Sequence, residues 1–409
     1  MSSANPDPRC LNGVEPAIPR VLFITNEPPQ NTGAGALVFQ RLFANYPPDS
    51  LLVVTNASLA RSEQRLACRY QRVPLLVDRL NRTRLWRWRA VLRSLGASRW
   101  VSLARIDAAL QDFEPEVVVS LMQDGWIYDL AARYATARKL PLVLFIHDLP
   151  DGFEPVGAVW QQRQRERDCA VYRQARVRLC VSRGMSDHFA AAFGVPGDIL
   201  LPPRSPSTPS QTPESCRNLK VPGRLTLGYA GGLHYGYGEQ LLALAPILRR
   251  HHITVEIFGA VPQGVVAPLR NASDVFRING RTDTPEQAWR GVLQRCDVVL
   301  QPYLNPPGVH HRQYRTHFPS KLGDCLALGL PLLMTGPEDA SGVAWCRTHP
   351  GAALTVTDAA ASAIEAELNR LRDDGELRVR LATVGQKAAS EFDVATARAT
   401  MLAALRAAT

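Results

Sequence analysis

The sequence predicts a two-domain α/β protein in which two parallel sheets face each other across a cleft. Three observations predict it. Short β-rich apolar runs alternate with stretches of helical spacing, one Pro/Ser/Thr-rich stretch interrupts the alternation, and the alternation then restarts. At 409 residues the chain also exceeds what one ordinary hydrophobic core serves.

The elements follow in order. VLFIT from Val21 reads as a strand, NEPPQNTGAGA as a breaker-rich loop, and LVFQRLFANY as a helix. LLVVT (Leu51 to Thr55), EVVVSL (Glu116 to Leu121), PLVLFIHD (Pro141 to Asp148) and VRLCVS (Val177 to Ser182) are further buried-type strands. A helical stretch at Ala131 to Lys139 separates two of them, and GMSDHFAAAFG follows the last. The Pro/Ser/Thr density of LPPRSPSTPSQTPESCRNLKVPG marks an interdomain linker. Beyond it LTLGYAGG, TVEIFGA, VFRING, DVVLQPY, PLLMTG and AALTV alternate with helices, and the tail from Asp358 is helical in composition. The predicted boundaries are a disordered tail at 1–20, a first Rossmann-like domain at 21–205, a linker at 206–223 and a second Rossmann-like domain at 224–390. A final helix at 391–409 is free to pack back on the first domain.

Hydrophobic residues make up 46% and charged residues 21%, a globular composition. No apolar run reaches the roughly 18–20 residues that span a bilayer. Met1 to Arg20 is polar and Pro-rich, unlike a signal peptide, so a cytoplasmic protein is expected. Eight cysteines are scattered singly without C-x-x-C spacing, which argues against a zinc site and a disulfide framework. The net charge of +10 predicts anionic partners; on charge alone a phosphorylated donor, an acidic membrane surface and nucleic acid all qualify.

In the second half the order LTLGYAGG, TVEIFGA, FRINGRT, CDVVLQPY, FPSKLGDCLALGLPLLMTG resembles the C-terminal domain of family-4 (group 1) retaining glycosyltransferases of the GT-B fold. FPSKLGDCLALGLPLL is similar to that family's P-S-K-x-x-E-x-x-A-x-G-x-P segment. VSRGMSDHFAAAFGVPGDILLPP, FIHD and NTGAGA resemble its pre-linker segment, its central His-Asp and its first glycine-rich loop. The resemblance covers roughly residues 20 to 400. It implies an N-terminal acceptor domain and a C-terminal nucleotide-sugar donor domain. Two departures stand out: the family's glutamate pair falls on Thr316 and Asp324, and its Arg and Lys after the first C-domain strand fall on Gly232 and Tyr237.

Sugar transfer from a nucleoside diphosphate must stabilise a departing diphosphate and an oxocarbenium-like transition state, both mainly electrostatic tasks. No Asp-x-Asp is present, which suits a site without metal or other cofactor. Ser320 and Lys321 lie at a predicted helix start, where free amides and the ammonium would meet phosphate. Asp324, one turn on, would accept from ribose hydroxyls. Gly231 and Gly232 after a strand, and Gly33 and Gly35 from the opposite domain, would let backbone approach the donor. Arg204 is a further phosphate candidate, and Arg281 and Thr282 end a strand near the expected base. His147 ends a strand at the edge where open sheets bind ligands; the resemblance implies contact with the transferred sugar. For these residues the competing readings are a plain turn, a surface charge or a core histidine.

Arg79 to Trp100, RLNRTRLWRWRAVLRSLGASRW, interleaves arginines with tryptophans. Arg84, Trp86, Arg87 and Trp88 suit contact with an anionic membrane. The same composition suits single-stranded nucleic acid, or a solvated helix with its tryptophans packed inside. The expected function is transfer of a hexosyl unit, with retention, from a nucleoside-diphosphate sugar to a glycan or lipid-linked acceptor of the cell-surface polysaccharide type. Alternatives are a GT-B enzyme of another reaction, such as a nucleotide-sugar 2-epimerase or a phosphorylase, a non-catalytic nucleotide-sugar-binding module, and a nucleic-acid-binding protein. The last accounts for the charge but for none of the ordered motifs, so nucleic acid is not expected as a partner.

Overall fold

The structure is a computed structural model that describes residues 17–31, 33–73, 88, 91–92, 95–123, 125–150, 158–233, 236–303, 311–357 and 360–409. The expected tail over 1–16 lies outside these residues, as do Arg84, Trp86 and Arg87 of the expected membrane contact.

Two all-parallel sheets organise the chain. The first contains β1 (Val21–Thr25), β2 (Leu51–Thr55), β3 (Arg69–Arg72), β4 (Val117–Leu121), β5 (Leu142–Ile146), β6 (Val177–Cys180) and β7 (Asp198–Ile199), in the order β3-β2-β1-β4-β5-β6-β7. The second contains β8 (Thr226–Ala230), β9 (Thr254–Phe258), β10 (Phe276–Gly280), β11 (Val298–Pro302), β12 (Leu332–Thr335) and β13 (Leu354–Val356), in the order β10-β9-β8-β11-β12-β13. These are the two Rossmann-like domains expected. The central strands are buried on both faces, which is why they read as unbroken apolar runs. β3 was illegible because RYQR is polar and half exposed at the sheet edge, and β7 is only two residues long.

In each sheet the order reverses beside the first strand, between β1 and β4 and between β8 and β11. Loops leaving neighbouring strands there diverge to opposite faces and open a crevice at the strands' carboxyl ends. The first sheet is flanked by α1 (Ala34–Phe43), α2 (Ala104–Leu110), α3 (Gly125–Arg138), α4 (Ala158–Gln174) and α5 (Arg183–Phe193). The second carries α6 (Tyr237–Arg250), α7 (Gln263–Asn271), α8 (Pro285–Arg295), α9 (His311–Thr316), α10 (Leu322–Ala327), α11 (Ser341–Thr348), α12 (Ala361–Asp373) and α13 (Gly375–Ala388). α4 has so polar a sequence that periodicity hid it; its buried residues include Asp168 and Gln164, bonded together beside Tyr128.

The last helix, α14 (Val394–Ala408), buries Ala397, Met401, Leu405 and Ala408. That stripe at helical spacing joins Val21, Phe23 and Phe39 in the core of the first domain. Arg398 fastens it by donating to the carbonyls of Arg41 and Leu42 on α1. The chain crosses between domains around Arg204 and returns around Asp393, and these two residues form an ion pair at 2.6 Å. No helix among the described residues is long and apolar enough to cross a membrane.

Candidate active site

The site forms where both sheets end towards each other. From the first domain, β1 runs into Glu27, β4 into Gln123 and β5 into His147 and Asp148. From the second, β8 runs into Gly231, β11 into Tyr303, and the segment before α10 supplies His317 and Lys321.

His147 lies parallel to the ring of Phe39 on α1, with centroids 5.3 Å apart. Burial, with nearby His317 adding to it, holds its pKa below the usual histidine range against the pull of Asp148, so it is neutral at pH 7. Asp148 accepts from the Gln123 amide at 3.2 Å and faces His317 across the cleft at 3.9 Å. The His317 Nδ1 in turn meets the Tyr303 hydroxyl at 2.9 Å. A chain of polar contacts therefore joins the two domains across the cleft.

Glu27 had not been singled out. Its carboxylate accepts the Ala36 N–H at the start of α1, and burial with nearby Asp148 raises its pKa despite that hydrogen bond. It lies against the glycine-rich loop: a Cβ at Gly35 would sit 3.4 Å from its carboxyl group, and one at Gly33 4.0 Å from an oxygen. These glycines had been expected to cradle the donor's phosphates. In this structure they lie beside a carboxylate that already takes an amide of the first turn of α1.

Lys321 is the N-cap of α10, as expected of a helix start. Its Nζ donates to the Ala230 carbonyl at 2.8 Å and sits 3.8 Å from the Tyr229 ring centroid. Burial without a carboxylate partner pushes its pKa down to about 8. Gly231 permits this approach, because a Cβ there would lie 2.8 Å from Nζ, and its φ of 136° also favours glycine. The expectation for Gly231 is corrected in one respect. Its amide donates to the Phe258 carbonyl at 2.8 Å and so continues the β8–β9 ladder instead of facing a pyrophosphate. Gly232 is exposed, and its carbonyl accepts from the Tyr229 hydroxyl. Ser320 stands half-buried before Lys321.

Two other expected donor ligands are engaged within the protein. Asp324 is 3% exposed and faces the linker: Oδ1 accepts from Ser205 N at 2.8 Å and from the Thr208 hydroxyl, and Oδ2 pairs with Arg41 at 3.3 Å. It ties α10, the linker and α1 together. Arg204 is held by Asp393 and is not a free phosphate ligand. At the end of β10 Arg281 is exposed, while the Thr282 hydroxyl donates to the Thr284 carbonyl. Trp88, by contrast with a packed helix, is 57% exposed.

The domains touch tightly beside the cleft. Ser182 Oγ donates to the Thr316 carbonyl at 2.8 Å, and Ser341 bonds both Ser182 and the Arg315 carbonyl. Gly184 lets α5 approach, since a Cβ there would stand 1.9 Å from the Arg315 oxygen. Among the described residues no group of three or more His, Cys, Asp or Glu side chains is placed to hold a metal ion.

No family model matches the sequence. No curated protein matches it either. Solved structures do match nearly the whole chain. Anabaena HepE in complex with UDP aligns with a TM-score of 0.67 at 15% identity, covering 95% of this chain and 99% of that one. Sucrose-phosphate synthase from Thermosynechococcus elongatus aligns at 0.64 and 12% identity, covering 94% and 98%. WaaG, a glycosyltransferase involved in lipopolysaccharide biosynthesis, aligns at 0.59 and 15%, covering 93% and 98%. With two parallel-sheet Rossmann-like domains facing across a cleft, the chain has the GT-B fold of these structures.

Proposed function

We propose that this protein is a glycosyltransferase that moves a hexosyl unit, with retention and without a metal, from a nucleoside-diphosphate sugar to a glycan or lipid-linked acceptor. The observation that carries this reading is the convergence at the cleft. Half-buried Lys321 stands at a strand end of the second domain, and His147, Asp148 and Glu27 stand at strand ends of the first. In this reading the donor's diphosphate takes Lys321 from the Ala230 carbonyl, and its departing charge is stabilised by the ammonium. Neutral His147, held by Phe39, contacts the transferred sugar and supports its developing positive charge. The UDP and UDP-glucose named with the HepE structures supply the first ligands to try.

Thermal shift against a panel of nucleotides and nucleotide sugars tests the reading, because a ligand that binds only the folded chain raises its stability. Stabilisation by a nucleoside diphosphate but not by its nucleoside supports it; a flat panel sinks it. Thr316, buried where the resembled family carries a glutamate, favours, as a second reading, a module that binds nucleotide sugar without catalysis. Formation of glycosylated product, rather than isomerised sugar or sugar phosphate, separates the transferase from both that module and other GT-B chemistries. We place the protein in the cytoplasm, peripheral on the inner face of the plasma membrane, where a lipid-linked acceptor would lie. Exposed Trp88 and Trp100 support that placement.

A further inference from the structure

A groove of about 800 Å³ runs between α3 and α4 and is flanked by the segment 95–103. Four arginines line it, Arg99, Arg133, Arg163 and Arg167, against two acids, Asp129 and Glu166. Both acids are engaged locally: Asp129 accepts from the Ser98 hydroxyl, and Glu166 from the Gln162 amide at 3.0 Å. Arg133 donates to the Ser98 carbonyl, and the Arg167 guanidinium packs on Gly96, so the groove's shape is set by the residues that charge it. Arg99 and Arg163 stand exposed.

The groove is bordered by apolar surface. Of seven exposed large hydrophobic residues in the described chain, three adjoin it: Leu95 at 44% in its lining, Trp100 at 68% next to Arg99, and Val159 at 65% on the first turn of α4, one turn before Arg163. One turn on, Arg163 lies 5.3 Å over the Trp160 ring. We propose that this groove is a binding site for the phosphate headgroups of an anionic bilayer, with the surrounding tryptophans and aliphatics seated among the lipids. The proposal rests on the membrane placement above and gives it a definite site. Excess positive charge selects anionic headgroups, and indoles settle at headgroup depth. Leu95 and Val159 favour lipid over single-stranded nucleic acid, since aliphatic side chains offer bases no stacking surface and insert readily between acyl chains.

The test is flotation with phosphatidylcholine vesicles containing either no phosphatidylglycerol or roughly one third of it, where each arginine near the surface contributes about fivefold in affinity. Wild type should float with the anionic vesicles at low salt, stay behind with the neutral ones, and lose binding at high salt as exposed charges are screened. Arg99→Gln/Arg163→Gln alters two exposed side chains and should bind about 25-fold more weakly while melting like wild type. If the double variant floats like wild type, the groove is not the lipid site although the membrane placement stands. If wild type ignores anionic vesicles, both fall. A groove-dependent shift of a single-stranded DNA oligomer without flotation would assign the arginines to nucleic acid instead and overturn the proposal.

Discussion

Replacement of Lys321 by methionine tests the proposed donor site most directly, because the lysine's present environment sets the size of every effect. In the free chain Nζ has one carbonyl and an aromatic face for company, and burial lowers its pKa from 10.5 to about 8. A bound diphosphate would return it towards its ordinary value. Binding should therefore take up about half a proton at pH 8 and about a tenth at pH 7. Affinity for UDP should be full below pH 8 and fall about 30-fold by pH 9.5, as the free lysine loses its charge. Lys321→Met should lose about 1.5–3 kcal/mol of UDP binding, roughly 10- to 150-fold, with little change for uridine, and should abolish the pH dependence. The unfolded chain holds this proton more tightly than the folded one, so the lysine costs stability below pH 8 and the cost fades as pH rises to 10.5. At neutral pH that cost is about 3 kcal/mol, and the ligand-free methionine variant should be the more stable protein. Calorimetry in buffers of different ionisation enthalpy reads proton uptake and affinity together. A UDP affinity constant from pH 7 to 9.5, or equal losses for UDP and uridine, would refute the reasoning.

Other consequences concern the opposite wall and the domain contact. His147→Ala should lower turnover at least about tenfold with nucleotide affinity nearly intact, because its proposed contact is with the reacting sugar; normal turnover would make it structural. Because His147 is neutral in the fold, the folded chain resists the proton that the unfolded chain takes up below about pH 6.5, and stability should fall as pH drops through that value. Urea titrations should find this acid sensitivity reduced in His147→Ala, and an unchanged slope would count against a buried neutral ring. Asp324→Ala should destabilise by about 3–5 kcal/mol by removing the charge that half-buried Arg41 pairs with and the acceptor of Ser205 N. Normal stability with lost UDP affinity would instead restore Asp324 to the ribose. Gly184→Ala should cost about 1–3 kcal/mol at the α5–Arg315 contact and open the domains. Small-angle scattering would register a larger radius, and an unchanged profile would show that the contact yields without moving them.

The strands that build the two sheets were legible because burial on both faces leaves no polar position to interrupt them, as in VLFIT, VVVSL and VVLQP. The same logic hid RYQR, which pairs only at an edge, and α4, whose polar residues bond one another inside the protein. His147 and Lys321 were legible as site candidates because each directly abuts a strand end or a helix start, where local chain geometry alone aims a side chain at a crevice. What a side chain meets across the cleft is a different matter. Asp324 and Arg204 stand at sequence positions suited to a donor, yet their partners, Arg41 and Asp393, lie 283 and 189 residues away. Glu27 became visible only when α1 presented an amide to it and β5 brought Asp148 near. Sequence order by itself determined the two sheets and the strand ends that border the crevice, since those follow from short-range patterning. Only the tertiary structure decided which charges remain available, because a salt bridge between distant segments leaves no trace in the local pattern of either.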